Sequence, residues 1–315
     1  MSDIFCSVII PTIGRKSLTK AVQSVLTQDF SKDQFEIIVV NDSGNDLAKD
    51  EWQRAENITI LNTNRVERSL ARNSGAAVAR GKYLLFLDDD DWILPDTLNR
   101  FQETVRNYTA SIYCGGYRFV DADGNPINEH IPDEKGNCFI RFMSGEWQPL
   151  QASLFNANAF HDAGGFLPLG NLRGGDEDVD LTRRISLHHD IAGTGRLAAV
   201  IQIDRAESTT NYANLQEQSR HSRELVLNLP GAFMRLYRSA QDRSGNQSYW
   251  HGRILWIYLG SVIWNFHERR LFTALSRMMS FCAALFLSFR FWFSLSFWRG
   301  ASRPHNARGW LSTQK

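Results

Sequence analysis

The chain has too few cysteines to be held together by them. Four occur in 315 residues, Cys6, Cys114, Cys138 and Cys282, widely scattered and without the short spacings of a metal site. This excludes a disulfide framework, and a reducing, cytoplasmic compartment is the simplest expectation. No Gly-x-Gly-x-x-Gly or Walker-type loop is present, which disfavours dinucleotide and NTPase functions. Met1-Ser2-Asp3 lacks a basic leader, and Cys6 to Pro11 is too short for the apolar core of one, so no secretory signal is expected. There is no internal repeat. After Glu268 there is also no acidic residue.

That last absence exposes an asymmetry that the net charge of +1 hides. From Arg243 to Lys315 there are ten Lys and Arg against the single acid Glu268. Of 35 bases and 34 acids in total, 25 and 33 therefore belong to the first 242 residues. A basic tail rich in Phe and Trp points to an anionic membrane surface before nucleic acid. Within it, Met278 to Trp298 is apolar nearly all round and about long enough to span a bilayer, which takes ~20 residues. Arg290 would be costly at the centre of such a span, so a membrane-embedded or in-plane helix fits at least as well.

What is present in the first part is a globular composition, 43% hydrophobic and 22% charged, with strand-like and helix-like segments in alternation. Cys6–Pro11, Phe35–Val40 and Ile58–Leu61 read as strands. Helices are expected from Ser17, as a cap, to Leu26, over Ser69–Ala79, and from Pro95 to about Asn107. This rhythm predicts an α/β fold with a mostly parallel central sheet and helices on both faces. From Ser111 the pattern changes. Ile112–Val120 is strand-like, Asp121 to Pro126 reads as a hairpin turn, a helix is expected from near Asp178 to His188, and Ala198–Asp204 as a last strand. Residues 1–225 are expected to form one domain, divided near residue 110, and 226–315 a separate helical region.

The most informative segment is Leu85-Phe86-Leu87-Asp88-Asp89-Asp90-Asp91-Trp92. Four carboxylates at the end of a buried strand are electrostatically costly unless a cation or polar ligand sits there. Hard oxygen ligands suit Mg²⁺ or Mn²⁺ beside a diphosphate. In open parallel sheets ligands bind at that edge. Alternation along a strand puts Asp88 and Asp90 on one side. Pro11-Thr12 and Asp42 end strands at the same edge, where Asp42 can accept from a base N–H or a ribose hydroxyl. The Arg72 guanidinium suits a base or diphosphate oxygens. Asp91 is expected to be structural, capping the helix that begins near Pro95.

Five motifs occur in order: Val8-Ile9-Ile10-Pro11-Thr12 with Arg15, Val39-Val40-Asn41-Asp42-Ser43, Ala71-Arg72-Asn73-Ser74-Gly75, Phe86 to Asp91, and Glu177-Asp178-Val179-Asp180-Leu181. Together they resemble the GT-A-fold family 2 glycosyltransferases, over roughly Cys6 to Ser208. The resemblance implies a nucleotide-sugar donor, by family habit a UDP-sugar, with Mg²⁺ or Mn²⁺ and inversion at the anomeric carbon. The acceptor it implies is a hydroxyl of a lipid-linked sugar or polysaccharide at the inner face of a membrane. It assigns Pro11, Thr12, Arg15, Asp42, Arg72, Asp88 and Asp89 to the donor and Asp90 to the metal, with Asp88 or Asp89 meeting ribose or metal-bound water. Asp178 becomes the base that takes the acceptor proton, and Glu177 orients it or binds acceptor. Trp147, Gln151 and Gly164-Gly165-Phe166 are expected on the acceptor side. One departure is the segment Asp204 to Thr209, which lacks the histidine many GT-A enzymes use as a further metal ligand; Arg205 is a candidate to touch the diphosphate there.

Two other readings are disfavoured by the sequence. A sugar-phosphate nucleotidyltransferase needs a glycine-rich loop after its first strand, and Pro11-Thr12-Ile13-Gly14-Arg15 is not one. A non-catalytic sugar-nucleotide-binding or membrane assembly protein on the same fold is disfavoured by the intact Asp90 and Asp178.

Overall fold

The computed structural model describes residues 4–167, 177–203, 215–243 and 245–302. In chain order the elements are β1 (Cys6–Thr12), α1 (Leu18–Leu26), β2 (Phe35–Asn41), β3 (Ile58–Asn62), α2 (Arg68–Val78), β4 (Tyr83–Phe86), β5 (Trp92–Ile93) and α3 (Thr97–Asn107). Then come β6 (Ile112–Val120), β7 (Pro126–His130), β8 (Lys135–Gly136), α4 (Phe139–Met143), β9 (Ser153–Asn156), α5 (Ala157–Asp162), α6 (Glu177–Ser186) and β10 (Ile191–Gln202). Five helices follow: α7 (Leu215–Leu227), α8 (Ala232–Gln241), α9 (Gln247–His267), α10 (Leu271–Leu287) and α11 (Leu295–Ser302). The chain divides into two compact units, one of residues 1–136, 148–185 and 189–218, the other of 137–147, 186–188 and 219–315.

The first unit is built on a ten-stranded sheet whose main order is β3-β2-β1-β4-β9-β6-β10-β5. Its first four strands are all parallel. β1 and β2 are apolar along almost their whole length and buried on both faces, as a helix-covered parallel sheet requires. The expectation of a mostly parallel sheet fits this half and the long β6–β10 pair, which is also parallel. β9 enters antiparallel between β4 and β6, and β5, β7 and β8 pair antiparallel too, so the sheet is mixed. β5, β8 and β9 are two to four residues long, too short to show a period in sequence.

Helix α1 buries Leu18, Ala21, Val22 and Val25, the face its spacing predicts. Ser17 does not cap it through its side chain; its own backbone is helical. α2 lies tight against the sheet because Gly75 has no side chain: a Cβ there would meet Ile9 Cγ2 at 2.6 Å and Val40 Cγ2 at 2.9 Å. That close approach sets the height of Arg68 and Arg72 over the strand ends. The Asp121–Asn125 turn closes the β6–β7 hairpin, with Asn125 N–H donating to Asp121 Oδ1 at 2.8 Å.

The second unit is helical. Phe139, Ile140, Met143, Val226, Leu236, Ile254, Ile257, Tyr258, Ala284 and Phe297 form its core. The single long apolar helix expected over Met278–Trp298 is not what forms. α10 stops at Leu287, Phe289–Phe291 tighten into a 3₁₀ turn, and α11 starts afresh at Leu295. Ser288 to Ser294 holds four aromatics and two serines, residues of modest helix propensity, so the run breaks where hydropathy alone does not. Among the described residues no helix is long and apolar enough to cross a membrane.

Candidate active site at the ends of the parallel strands

β4 delivers the four aspartates to the carboxyl edge of the sheet, where the chain turns instead of running on. Asp91 N–H donates to Asp88 O at 3.2 Å, and this turn folds the fourth aspartate back beside the first. Asp88, Asp90 and Asp91 can each offer one carboxylate oxygen, all within 4.8 Å of one another. Asp89 faces elsewhere. It is buried, accepts from Thr12 Oγ1 at 2.5 Å and is paired with Arg15 at 2.9 Å. The same Arg15 nitrogen reaches Asp90 at 3.1 Å.

Asp91 is not a helix cap; Asp96 occupies that position before α3. Asp91 is buried and accepts from Gln202 N–H at 2.8 Å and from Gln151 Nε2 at 2.7 Å. The Gln151 amide also donates to Asp88 at 2.7 Å, bridging two carboxylates with one neutral group. Burial and its acidic neighbours Asp90 and Asp88 hold the Asp91 carboxyl well above the usual range, against its bonds to Gln202 and Gln151. Asp90 is pushed up to about 6 by burial and by Asp88, with Arg15 opposing. Asp89 is raised by burial, against the pull of Thr12 and Arg15. A cluster of oxygens that resists full ionisation is a donor set that a hard divalent cation would fit, since its charge would offset the repulsion.

Asp42, at the end of β2, is buried and holds the loop that leads into α2. Oδ1 accepts from Thr63 Oγ1 at 2.7 Å and Val66 N–H at 2.8 Å, and Oδ2 from Glu67 N–H at 3.2 Å. Oδ2 thus keeps capacity for a further donor. Glu67 begins α2 from a left-handed backbone, φ 90°, and its side chain accepts from Ser69 N–H. Holding that conformation is one reason for Asp42 to grip the loop.

Arg72 is buried. It donates to Asp88 at 2.6 Å and to Glu177, the first residue of α6, at 3.0 Å. Arg68 reaches Glu177 at 2.7 Å. Burial would raise the Glu177 carboxyl, but Arg68 and Arg72 outweigh it and hold it below its ordinary value. Asp178 follows at the helix N-terminus, where its Oδ1 accepts from Val179 N–H at 2.8 Å. Two residues on, buried Asp180 is paired with Arg184 one turn further along at 2.7 Å, fixing the helix on itself.

The structure therefore gathers these residues into two bonded groups, Thr12 and Arg15 with Asp89 and Asp90, and Arg72 with Asp88 and Glu177, brought side by side by the aspartate turn. Pro11 lies beside it on β1, paired in register with Val40. Trp147 belongs to the second unit and is half-buried. Phe166 is core rather than acceptor surface: its ring packs on Phe86 at 4.9 Å and Phe160 at 5.5 Å. Gln151, expected on the acceptor side, instead bridges the aspartates; a lone glutamine some 60 residues downstream of them carries no sequence signal for that role. His188 is exposed beyond the end of α6. The Asp204–Thr209 segment with Arg205, and Gly174 to Asp176 before the base, lie outside the described residues.

The family model described as Glycosyl transferase family 2 matches residues 7–167, just over half of the chain. The poly(ribitol-phosphate) beta-glucosyltransferase of Bacillus spizizenii is 27% identical over 163 residues, 48% of this chain and 26% of that protein. The poly(ribitol-phosphate) beta-N-acetylglucosaminyltransferase TarS of Staphylococcus aureus is 35% identical over 126 residues, 38% of this chain and 22% of that one. The chain thus spans about a quarter of the length of these relatives. The solved structure of S. aureus TarS 1–349 in complex with UDP-GlcNAc superposes with a TM-score of 0.56 at 15% identity, covering 89% of this chain and 92% of that one, which is a likeness of fold.

Proposed function

The chain belongs to glycosyl transferase family 2, and from that premise we propose that it moves a sugar from a UDP-sugar to a hydroxyl of a polysaccharide or lipid-linked acceptor, with inversion. The observation that carries this reading is the cluster at the strand ends, where Arg15 pairs with Asp89 and Asp90 and Arg72 ties Asp88 to Glu177 at the start of α6. The TarS structure solved with UDP-GlcNAc supports the choice of donor, and the relatives named for poly(ribitol-phosphate) support a polymer acceptor.

In this reading the spare lone pair of Asp42 Oδ2 accepts from the uracil N–H or a ribose hydroxyl. Arg15 leaves Asp90 to meet diphosphate oxygens, and Arg72 braces the aspartate turn from beneath. Asp88, Asp90 and Asp91 would hold Mg²⁺ or Mn²⁺, which would supply charge to offset that of the departing diphosphate. Asp178 takes the proton of the acceptor hydroxyl as its oxygen bonds to the anomeric carbon. The carbon–oxygen bond to the diphosphate breaks, and its electron pair leaves with UDP. Of the two roles open to Glu177, orienting the base fits its double clamp by Arg68 and Arg72. The basic, aromatic C-terminal region brings this machinery to an anionic membrane at its cytoplasmic face.

The test is a screen of UDP-, GDP- and dTDP-sugars for nucleotide release with Mg²⁺ or Mn²⁺. UDP release that chelation abolishes is the expected result. Release that is equal with EDTA, or absent for every donor, overturns the reading.

A further inference from the structure

The second unit carries an apolar surface that its own fold leaves bare. α10 turns Ala274, Arg277 and Ala284 inward, where Arg277 lies 3.6 Å from Glu224. Its other side presents Phe272, Leu275, Met279 and Phe286, at helical spacings of three, four and seven and all exposed, Phe272 to 92%. The surface continues beyond α10 through Phe289, Phe293 (100% exposed), Leu295 and Trp298. A solvated helix places charged residues on such a face, whereas here it is apolar on both sides. Single exposed apolar residues are ordinary, but a continuous row marks a surface that something covers.

The charges around the row identify what covers it. Arg269 and Arg270 immediately precede Leu271 and Phe272, Arg290 stands between Phe289 and Phe293, and Arg299 follows Trp298; all four are exposed. No acid follows Glu268. A second copy meeting this face about a two-fold axis would set these arginines against their own counterparts with no carboxylate between them. A leaflet of anionic lipid offers acyl chains to the aromatics and phosphates to the arginines. Trp292 and Trp298 satisfy their indole N–H groups internally, on Leu285 O at 3.0 Å and Trp292 O at 2.7 Å, so their rings can enter the interface without an unpaired donor.

We infer that α10 and the turn leading into α11 lie in the plane of an anionic leaflet, with Phe272, Leu275, Met279, Phe286 and Phe293 among the acyl chains and Arg269, Arg270 and Arg290 at the headgroups. The inference rests on the reading that the C-terminal region meets an anionic membrane, and adds the face, its residues and the depth. The attachment is monotopic and confined to one leaflet.

The experiment uses the full chain with vesicles of phosphatidylcholine alone or mixed with phosphatidylglycerol. The parent protein is expected to co-sediment with the mixed vesicles, and its tryptophan fluorescence to be quenched by bromine on the upper acyl chain. Combining Phe272→Asp, Met279→Asp and Phe293→Asp is expected to weaken partitioning by about 100-fold, while far-UV circular dichroism stays that of the parent. Arg269→Gln with Arg270→Gln and Arg290→Gln is expected to erase the preference for phosphatidylglycerol. Binding of the parent to neither vesicle overturns the membrane reading and this inference together. Binding that survives the three aspartates overturns the assigned face alone, and equal binding to both vesicles overturns the anionic lipid. A dimer that the same aspartates dissociate assigns the face to a second copy instead.

Discussion

Arg72 donates to Asp88 across 2.6 Å, so the base of the aspartate turn is held by a buried guanidinium. The same side chain reaches Glu177 at 3.0 Å. The turn proposed to hold the diphosphate side and the helix proposed to carry the base thus share one support. The planar fork of arginine can serve two carboxylates at once, which a lysine ammonium does poorly.

Arg72→Ala should therefore destabilise the protein by about 3 kcal/mol, because it strips a buried charge partner from Asp88 and Glu177 together. Arg72→Lys should recover only part of this. Urea unfolding followed by circular dichroism measures both. An Arg72→Ala midpoint equal to the parent's would show that the shared support does not exist.

Gln151→Ala removes the single amide that bridges Asp88 and Asp91. Leaving buried Asp91 short of a donor should cost roughly 1–3 kcal/mol in cation-free buffer. Gln151→Glu should cost more, since it adds a fourth carboxylate to the cluster. Saturating Mn²⁺ should restore part of the loss in Gln151→Glu. A variant insensitive to Mn²⁺ would argue against a cation at this turn.

The aspartate turn also sets a pH dependence. Asp90 has a folded value of about 6, above the ordinary 3.8, so the folded state binds the extra proton and its ionisation opposes folding as pH rises between those values. Glu177 behaves oppositely. Its depressed value lends stability that is present above its ordinary 4.5 and lost as pH falls through the folded value. A divalent cation relieves the first effect, so the rise in Tm on adding Mg²⁺ or Mn²⁺ should grow from pH 5 to pH 7. Asp90→Asn should be at least as stable as the parent without cation at pH 7, and should gain little when one is added. Thermal scans across that range, with and without EDTA, decide it.

The parallel half of the sheet was legible in sequence because β1 and β2 are continuous apolar runs ending in polar residues. The buried face of α1 followed from spacing, and α2 was legible as a helix without its face. What escaped was set by tertiary contact. Strand alternation predicted that Asp88 and Asp90 share a side, but the chain turns after Leu87, and only the turn brings Asp91 to Asp88. Hydropathy found an apolar stretch at Met278–Trp298 but not the break after Leu287, which depends on local propensity. Gln151 and the grip of Asp42 on Val66 and Glu67 are contacts between distant segments, invisible to any local pattern.

In the proposed mechanism donor binding and proton removal are separate tasks, the first at the aspartate turn and the second at Asp178. The most direct test compares the parent with Asp178→Asn in two measurements on one preparation: UDP-sugar affinity by calorimetry in the presence of Mn²⁺, and sugar transfer to acceptor. Unchanged affinity is expected, with transfer reduced by a factor of roughly 100 to 10,000. Transfer at the parent rate would contradict it.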